Sequence, residues 1–539
     1  MKKFFSICFL TCYLCCIISA QGQRRPENNI SPDDALYYQK LFQTFASIKN
    51  YYVDETDNTL VIESAIKAML ESLDPHSSYT NAEETRKLNE PLEANFDGIG
   101  IQFNMLLDTL YVVQVIPGGP SEKAGLLAGD RIISVNDTLI AGLKMLNTDV
   151  TKLIRGKKGT IVKIAVKRDS KPQLLEFLIT RDHIPIFSID AAYMADSING
   201  YIRLSRFSAS SMEEFSFSLS KLQKQGMKNL ILDLQDNGGG LLHIANSLAE
   251  QFLQKGKLIV FTQGRTVSRF DNVSKADGLF YDGKLVILIN EGSASASEIV
   301  AGAIQDWDRG VLVGRRSFGK GMVQRSVELP DNSMIRLTIA RYYTPSGRNI
   351  QKPYEKGNLE SYRQDLLNRY LKGELSNADS IHFPDSLKYN TLVANRTVYG
   401  GGGIMPDVFV PIDSARATDY HASLNRLGIT YRFTLSYLDR NRKELNVKYP
   451  NILNFKEKFV VTEDILKELI ALAEKDNVEF NEEQFNLSKD FISLQLKALI
   501  ARDLFDMSEY FQVINDRNDS YLKALQILND DTLYYNLLK

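Results

Sequence analysis

The chain has 539 residues, 44% of them hydrophobic and 24% charged, and a formal net charge of -2. That length exceeds one ordinary domain and predicts three or four. The composition is that of a globular protein, and the balanced charge gives no electrostatic case for nucleic acid or an anionic membrane as partner.

Lys2 and Lys3 precede an apolar run, residues 4–18, which closes on Ile18, Ser19 and Ala20. This order predicts a secretory signal peptide, residues 1–20, cut before Gln21, and therefore an exported protein of the periplasm or cell envelope. An uncleaved anchor is the alternative, because Ile18 is large for its place near the cut. All four cysteines (Cys8, Cys12, Cys15 and Cys16) fall in this run. The mature chain then has none, which excludes disulfides, thiolate catalysis and cysteine zinc sites.

Residues 31–92 read as helical. Ser31 is placed as an N-cap with Pro32 at the first helical position, and a second helix is predicted near residues 61–73, ahead of "DPHSSY". From residue 96 to 182 the texture changes to short strands and glycine turns, with one short helix at "SEKAG". Residues 183–351 alternate strands with helices: "KNLILDLQ" leads into "DNGGG" and a helix over 241–253, and "KLVILI" leads into "NEGSASASE" and another helix. Such alternation argues α/β layers. Residues 352–399 are polar and irregular and read as an insertion, because "GGGGIMPDVFVP" resumes a strand at Gly400. From 414 the chain is helical. Thr462 caps one helix, and Phe491, Leu494, Leu499, Ile500 and Leu504 lie near helical spacing on another.

The chemistry gathers at Ser293, Ser295 and Ser297, directly after an apolar strand. Two readings stand side by side. Ser295 and Glu298 fit a capping box ahead of the apolar face of Ile299, Val300, Ala303, Ile304 and Trp307. Alternatively, one serine is a nucleophile at a helix N-terminus, where the dipole and the N–H of Ala296 favour an oxyanion.

A nucleophile needs a base. The G-x-S-x-G pattern fails, since Ala294 stands two residues after Gly292. S-x-x-K fails at all three serines, which are followed three residues on by Ala296, Glu298 and Val300. Of the five histidines only His243 lies near a candidate loop. Lys320, between two glycines just after a strand, is the other candidate. Gln324 shares its face if the chain is extended there, and can orient the amine. A lysine base must be neutral near pH 7, which requires desolvation.

Taken together, "SIKNYYVDE", "MLESLDPHSSY", "FDGIGI", "VIPGGPSEKAGLLAGDRIISVN", "LIRGKKGT", "LILDLQDNGGGLL", "NEGSASASEIVAGAIQD", "SFGKGMVQ", "YYTPSGRNIQ" and "GIMPDVFV" resemble, in order, the carboxy-terminal processing (tail-specific) serine proteases. The resemblance covers most of residues 33–350, plus 400–411. It implies an α/β multidomain fold: a ClpP/crotonase-like protease core (183–351 and 400–413) with the insertion 352–399, a PDZ domain over 96–182, and helical regions at 31–92 and 414–539. It places the nucleophile on Ser295, the base on Lys320 and the supporting glutamine on Gln324. The oxyanion donors are then Ala296 and either Gly238 or Gly239. This chain departs from the family's usual loop, with Gln235 in place of arginine and Gly238 in place of proline, which leaves the glycine donor open.

A PDZ domain captures a C-terminal carboxylate in a backbone nest and adds the peptide as a strand. The nest is expected at Gly98, Ile99, Gly100 and Ile101, whose glycines free consecutive N–H groups. The implied function is an exported endopeptidase that recognises free, apolar protein C-termini and cuts near them through an acyl-enzyme, with no metal or organic cofactor. A homo-oligomer or an adaptor contact through the C-terminal helices is also expected. Two competitors are a non-catalytic PDZ scaffold and a Ser-His hydrolase built on His243.

Overall fold

The computed structural model describes residues 32–106, 108–168, 171–413 and 418–539. The signal segment and the Ser31 cap therefore lie outside the described residues. The chain divides into two compact units, residues 1–69 and 70–539. In the first, helix Pro32–Tyr51 begins at the predicted proline, with Asp33 and Asp34 in its first turn and Lys49 in its last, as the helix dipole favours. The next helix, Asn58–Glu71, starts ahead of the expected 61. Its start is set by the Asp57 carboxylate, which accepts from the N–H groups of Thr59 (2.9 Å) and Leu60 (3.2 Å), a cap that hydrophobic spacing does not reveal. Among the described residues no helix is long and apolar enough to cross a membrane.

The second unit is built on a six-stranded sheet in the order Ile189–Met194, Asn199–Leu204, Asn229–Asp233, Leu285–Ile289, Val311–Gly314 and Val408–Phe409. The first pair is antiparallel and the rest parallel. Asn229–Asp233 and Leu285–Ile289 are buried along their whole length, as central parallel strands are. Helices Ser211–Lys224, Leu242–Glu250 and Ala296–Asp306 cover one face. The other face is covered by the end of the chain, where Tyr521, Ala524, Ile527, Leu528 and Tyr534 pack against strand residues such as Val286 and Leu288. The last helices are thus the second layer of the core. The preceding helices form a separate cluster around Leu424, Phe433, Phe455 and Leu469. In Glu482–Leu504 the buried positions include Ile492 and Leu496, whereas the expected Phe491 and Leu494 are half-buried. This helix is covered on more than one side, so its inward stripe is broader than the spacing predicted.

A second sheet runs Ser78–Thr80, Met334–Tyr343, Leu258–Gln263 and Phe270–Val273, with Met322–Glu328 paired to Met334–Tyr343. The β-rich unit is a third sheet, ordered Ile101–Leu106, Thr109–Val115, Arg131–Val135, Ile161–Lys167 and Leu175–Thr180. It carries the expected short helix, Pro120–Ala124, and a further helix, Asn147–Ile154, whose Val150 and Ile154 complete its core. Strand Ile101–Leu106 lies at its edge. The unit rests on helix Ile429–Lys448, with Tyr111 and Val113 against Leu435 and Arg131 paired with Asp439 at 2.5 Å.

The insertion 352–399 is more ordered than its polarity suggests. It holds helices Leu359–Arg363 and Asp365–Leu371 and a hairpin of Lys388–Asn390 with Thr397–Tyr399. Tyr362, Arg369, Leu375 and Val398 are buried. Arg369 tolerates burial because it donates to the carbonyls of Ser317 (3.1 Å) and Arg316 (2.7 Å).

Candidate functional site

Strand Leu285–Ile289 ends at Asn290, and the chain turns into helix Ala296–Asp306. The three serines of this turn have different environments. Ser293 is buried and its hydroxyl donates to the carbonyl of Leu234 at 2.7 Å. Ser297 is also buried and donates to the carbonyl of Asn237 at 2.8 Å. Together they tie the turn to the end of the neighbouring strand and to the "DNGGG" loop that follows it. Ser295 is half-buried and sits at φ 55°, ψ -110°, a conformation that non-glycine residues rarely adopt. Backbone strain of this kind costs about 1–3 kcal/mol and persists only where surrounding contacts impose it.

Those contacts converge on Glu298, which is fully buried. Its carboxylate accepts from the Ser295 N–H (2.8 Å), the Ser317 hydroxyl (2.5 Å), the Gly319 N–H (2.7 Å) and the Lys320 N–H (2.9 Å). Burial pushes its pKa up to about 7, against the pull of these four donors. The Ser295 and Lys320 turns are therefore fastened to one side chain. The capping-box reading names Glu298 only as a local cap; its grip on residues 317–320 is long-range and invisible to spacing. Tyr342, buried and well above the ordinary phenol pKa because of that burial, reaches the carbonyls of both Ser295 (3.2 Å) and Lys320 through its hydroxyl.

Ser295, Ala296, Lys320, Gln324, Gly238 and Gly239 line one cavity of about 660 Å³. Burial holds the Lys320 amine below its ordinary pKa; the nearby Arg336 adds to this, while Glu298 and Asp74 oppose it. Gln324 faces Thr338 across the strand pair and donates to its hydroxyl at 3.3 Å. His243 lies on an exposed position of Leu242–Glu250 and does not line this cavity.

The Lys320 turn is braced from the insertion side as well. Gly321 N–H donates to the Gln351 side chain (2.9 Å), and Lys352 N–H donates to the Gly319 carbonyl (2.9 Å). The Lys352 ammonium lies over the rings of Phe318 and Tyr362, 4.1 Å from each centroid, and pairs with Asp365 at 2.8 Å. His76, bonded to the Tyr362 hydroxyl at 3.0 Å, has its pKa lowered to about 4, first by burial and then by Lys320.

In the glycine loop, Gly239 has φ +101°, and a Cβ there would stand 2.8 Å from the Ser295 Cβ and 3.0 Å from the Ala296 nitrogen. Only glycine permits that approach. The Gly239 N–H donates to the Asn237 side chain at 2.9 Å, whereas Gly238 is exposed with open space around it. At Gln235, where the resemblance expects arginine, a guanidinium still reaches the loop. It comes from Arg203 on the adjacent strand, which donates to the Gln235 carbonyl at 2.9 Å.

The expected carboxylate nest sits apart from this cavity. Gly98 ends strand Asn95–Gly98, Ile99 is buried, Gly100 turns at φ +76°, and Ile101 starts the edge strand. The carbonyls of Ile99 and Gly100 accept from the N–H groups of Ser121 and Ile116, 3.0 Å each, which orients the loop.

Four stretches match known families: peptidase family S41 over residues 199–357, a PDZ domain over 98–179, the activating protease CtpB N-terminal domain over 18–85, and a family of unknown function over 420–506. A carboxy-terminal-processing protease of Bartonella bacilliformis is 40% identical over 314 residues, which is 57% of this chain and 71% of that protein. Carboxy-terminal processing protease CtpA of Bacillus subtilis is 36% identical over 331 residues, 60% of this chain and 70% of that protein. Among solved structures, a photosystem II D1 C-terminal processing protease is 26% identical and covers 73% of this chain and 92% of its own, with a TM-score of 0.36.

Proposed function

The chain belongs to the carboxy-terminal-processing protease family of PDZ-containing serine peptidases, and from that premise we propose an exported endopeptidase that captures a free, apolar protein C-terminus and cuts near it with a Ser295–Lys320 dyad. The observation that carries the proposal is the shared cavity: a serine held in a strained conformation at a helix N-terminus, beside a lysine whose burial disfavours its charge.

In this reading the neutral Lys320 amine takes the Ser295 hydroxyl proton as Oγ attacks the scissile carbonyl carbon. The oxyanion is met by the Ala296 N–H and a glycine of the 238–240 loop. If Gly239 is that donor, its N–H must leave Asn237. The C–N bond breaks, and the leaving amine takes the proton from Lys320. Water then attacks the ester carbonyl carbon while Lys320 takes its proton, and as the ester C–O bond breaks Lys320 returns that proton to Ser295 Oγ and the acid product leaves. Gln324 supports the lysine. The tail is captured at residues 98–101, with the substrate strand added along the open edge of Ile101–Leu106.

Export rests on Lys2, Lys3 and the apolar run of residues 4–18, and predicts a mature protein that begins at Gln21. An oligomer or adaptor contact through the C-terminal helices is consistent with their exposed Val447, Leu453 and Leu487; sedimentation of the purified chain checks it. The main test is cleavage of a loosely folded protein with an apolar tail, read by mass spectrometry, with the same substrate carrying an amidated C-terminus. The proposal expects cleavage near the free tail and a large loss on amidation. Tail binding without cleavage would instead make the chain a PDZ scaffold.

A further inference from the structure

Gln324 can support Lys320 in only one of its two amide orientations. A carbonyl oxygen facing the amine accepts its N–H and stabilises the ammonium formed during catalysis. An NH2 facing it donates into the lone pair the base must use, and opposes the charge. What sets the orientation lies behind the glutamine. The Thr338 hydroxyl has one proton, and its neighbour on the far side is Asp74 Oδ1 at 3.0 Å. An ionised carboxylate only accepts, so Thr338 donates to it. The threonine oxygen is then left as an acceptor, and the Gln324 group facing it at 3.3 Å must be Nε2. This turns Oε1 the other way.

Asp74 is well placed to impose that direction. It is buried, and its carboxylate also accepts from the N–H groups of His76 (2.8 Å) and Ser77 (2.9 Å) and from the Ser77 hydroxyl (2.7 Å). The Ser77 oxygen in turn accepts the Thr338 N–H at 3.1 Å. The "DPHSS" turn and strand Met334–Tyr343 are thus locked in one hydrogen-bonded register.

We propose that Asp74 and Thr338 are positioning residues that fix the Gln324 amide with its carbonyl oxygen toward Lys320. This rests on the reading of Lys320 as base and Gln324 as its support. Neither Asp74 nor Thr338 needs to touch substrate; each acts through the next group in the relay Asp74–Thr338–Gln324–Lys320.

The test is a double-mutant cycle with a pH profile on the full mature chain. Thr338→Val keeps the shape and removes the hydroxyl, and thermal unfolding confirms that it folds. It should lower kcat about 10-fold to 100-fold with KM nearly constant. Losing an acceptor for the ammonium lowers the lysine pKa, so the acid limb of kcat/KM should move to lower pH. Thr338→Ser, which keeps the hydroxyl, should restore most of the loss. In the cycle, Gln324→Ala/Thr338→Val should be no slower than Gln324→Ala alone. Losses that multiply, a limb that stays in place, or a serine variant as slow as the valine would overturn the relay. If Gln324→Ala leaves kcat intact, the relay fails while the dyad stands. Activity that survives Lys320→Ala would instead remove the reading beneath it.

Discussion

Ser295 and Lys320 line the same cavity, yet their turns are held in different ways. The Ser295 turn is fastened mainly from nearby in sequence or from the adjacent strand end: Glu298 lies three residues on, and Ser293 and Ser297 bond the loop that ends strand Asn229–Asp233. The Lys320 turn is held from many places: Glu298, Gln351 and Lys352 at its back, Arg369 of the insertion on the carbonyls of residues 316 and 317, and Tyr342 on its own carbonyl. A serine at a strand-to-helix turn inherits its geometry from two regular elements. A lysine in a glycine-flanked loop has no such frame, and the rest of the domain supplies one.

The largest effect is expected at the proposed nucleophile. Ser295→Ala should lower kcat by about 10⁴-fold or more, in a peptide-cleavage assay, with the fold intact. Glu298→Gln attacks both turns at once. One oxygen becomes an NH2 facing N–H donors, so buried donors lose their acceptor. About a 100-fold drop in kcat, with little change in KM, is expected from steady-state kinetics. Arg369→Met affects only the lysine side. It leaves the buried carbonyls of residues 316 and 317 without their guanidinium, and should lower kcat about 10-fold while the Ser295 turn is unaffected.

Two smaller effects sharpen the contrast. Arg336 helps hold the Lys320 pKa down. In the proposed mechanism activity needs the neutral amine and rises with pH through that lowered pKa, so Arg336→Met should move the acid limb of kcat/KM to higher pH. Ser297→Ala removes one buried hydrogen bond to the Asn237 carbonyl. It should cost about 1–2 kcal/mol in denaturant unfolding, with kcat changed only a few-fold.

Much of this site was legible because it is local. Apolar strands ending in "NEGSASASE" and "DNGGG" announce turns at the C-terminal ends of sheet strands, and both line the cavity. Residue type alone leaves the lysine as one of two candidate bases, with no base motif at fixed spacing, and only the family resemblance favours it. What escaped was non-local. Asp74 meets Thr338 264 positions away, Tyr342 bridges residues far apart in sequence, and the buried Arg369 makes the polar insertion part of the core. Hydrophobic periodicity reports which face is buried. It does not report which buried polar groups satisfy one another, and the lysine turn depends on such pairs. The same limit explains helix Glu482–Leu504, where coverage on several sides blurred the expected stripe.

The most direct test of the dyad is to trap its acyl-enzyme. The mature chain would be mixed with an activated peptide ester across a pH series, quenched rapidly, digested and mapped by mass spectrometry. A Ser295–Lys320 dyad predicts an acyl group on Ser295, formed at a rate that rises with pH through a pKa below the lysine reference of about 10.4, and none above background for Lys320→Ala at neutral pH. An adduct on another residue, or an adduct on Ser295 at an unchanged rate in Lys320→Ala, would contradict it.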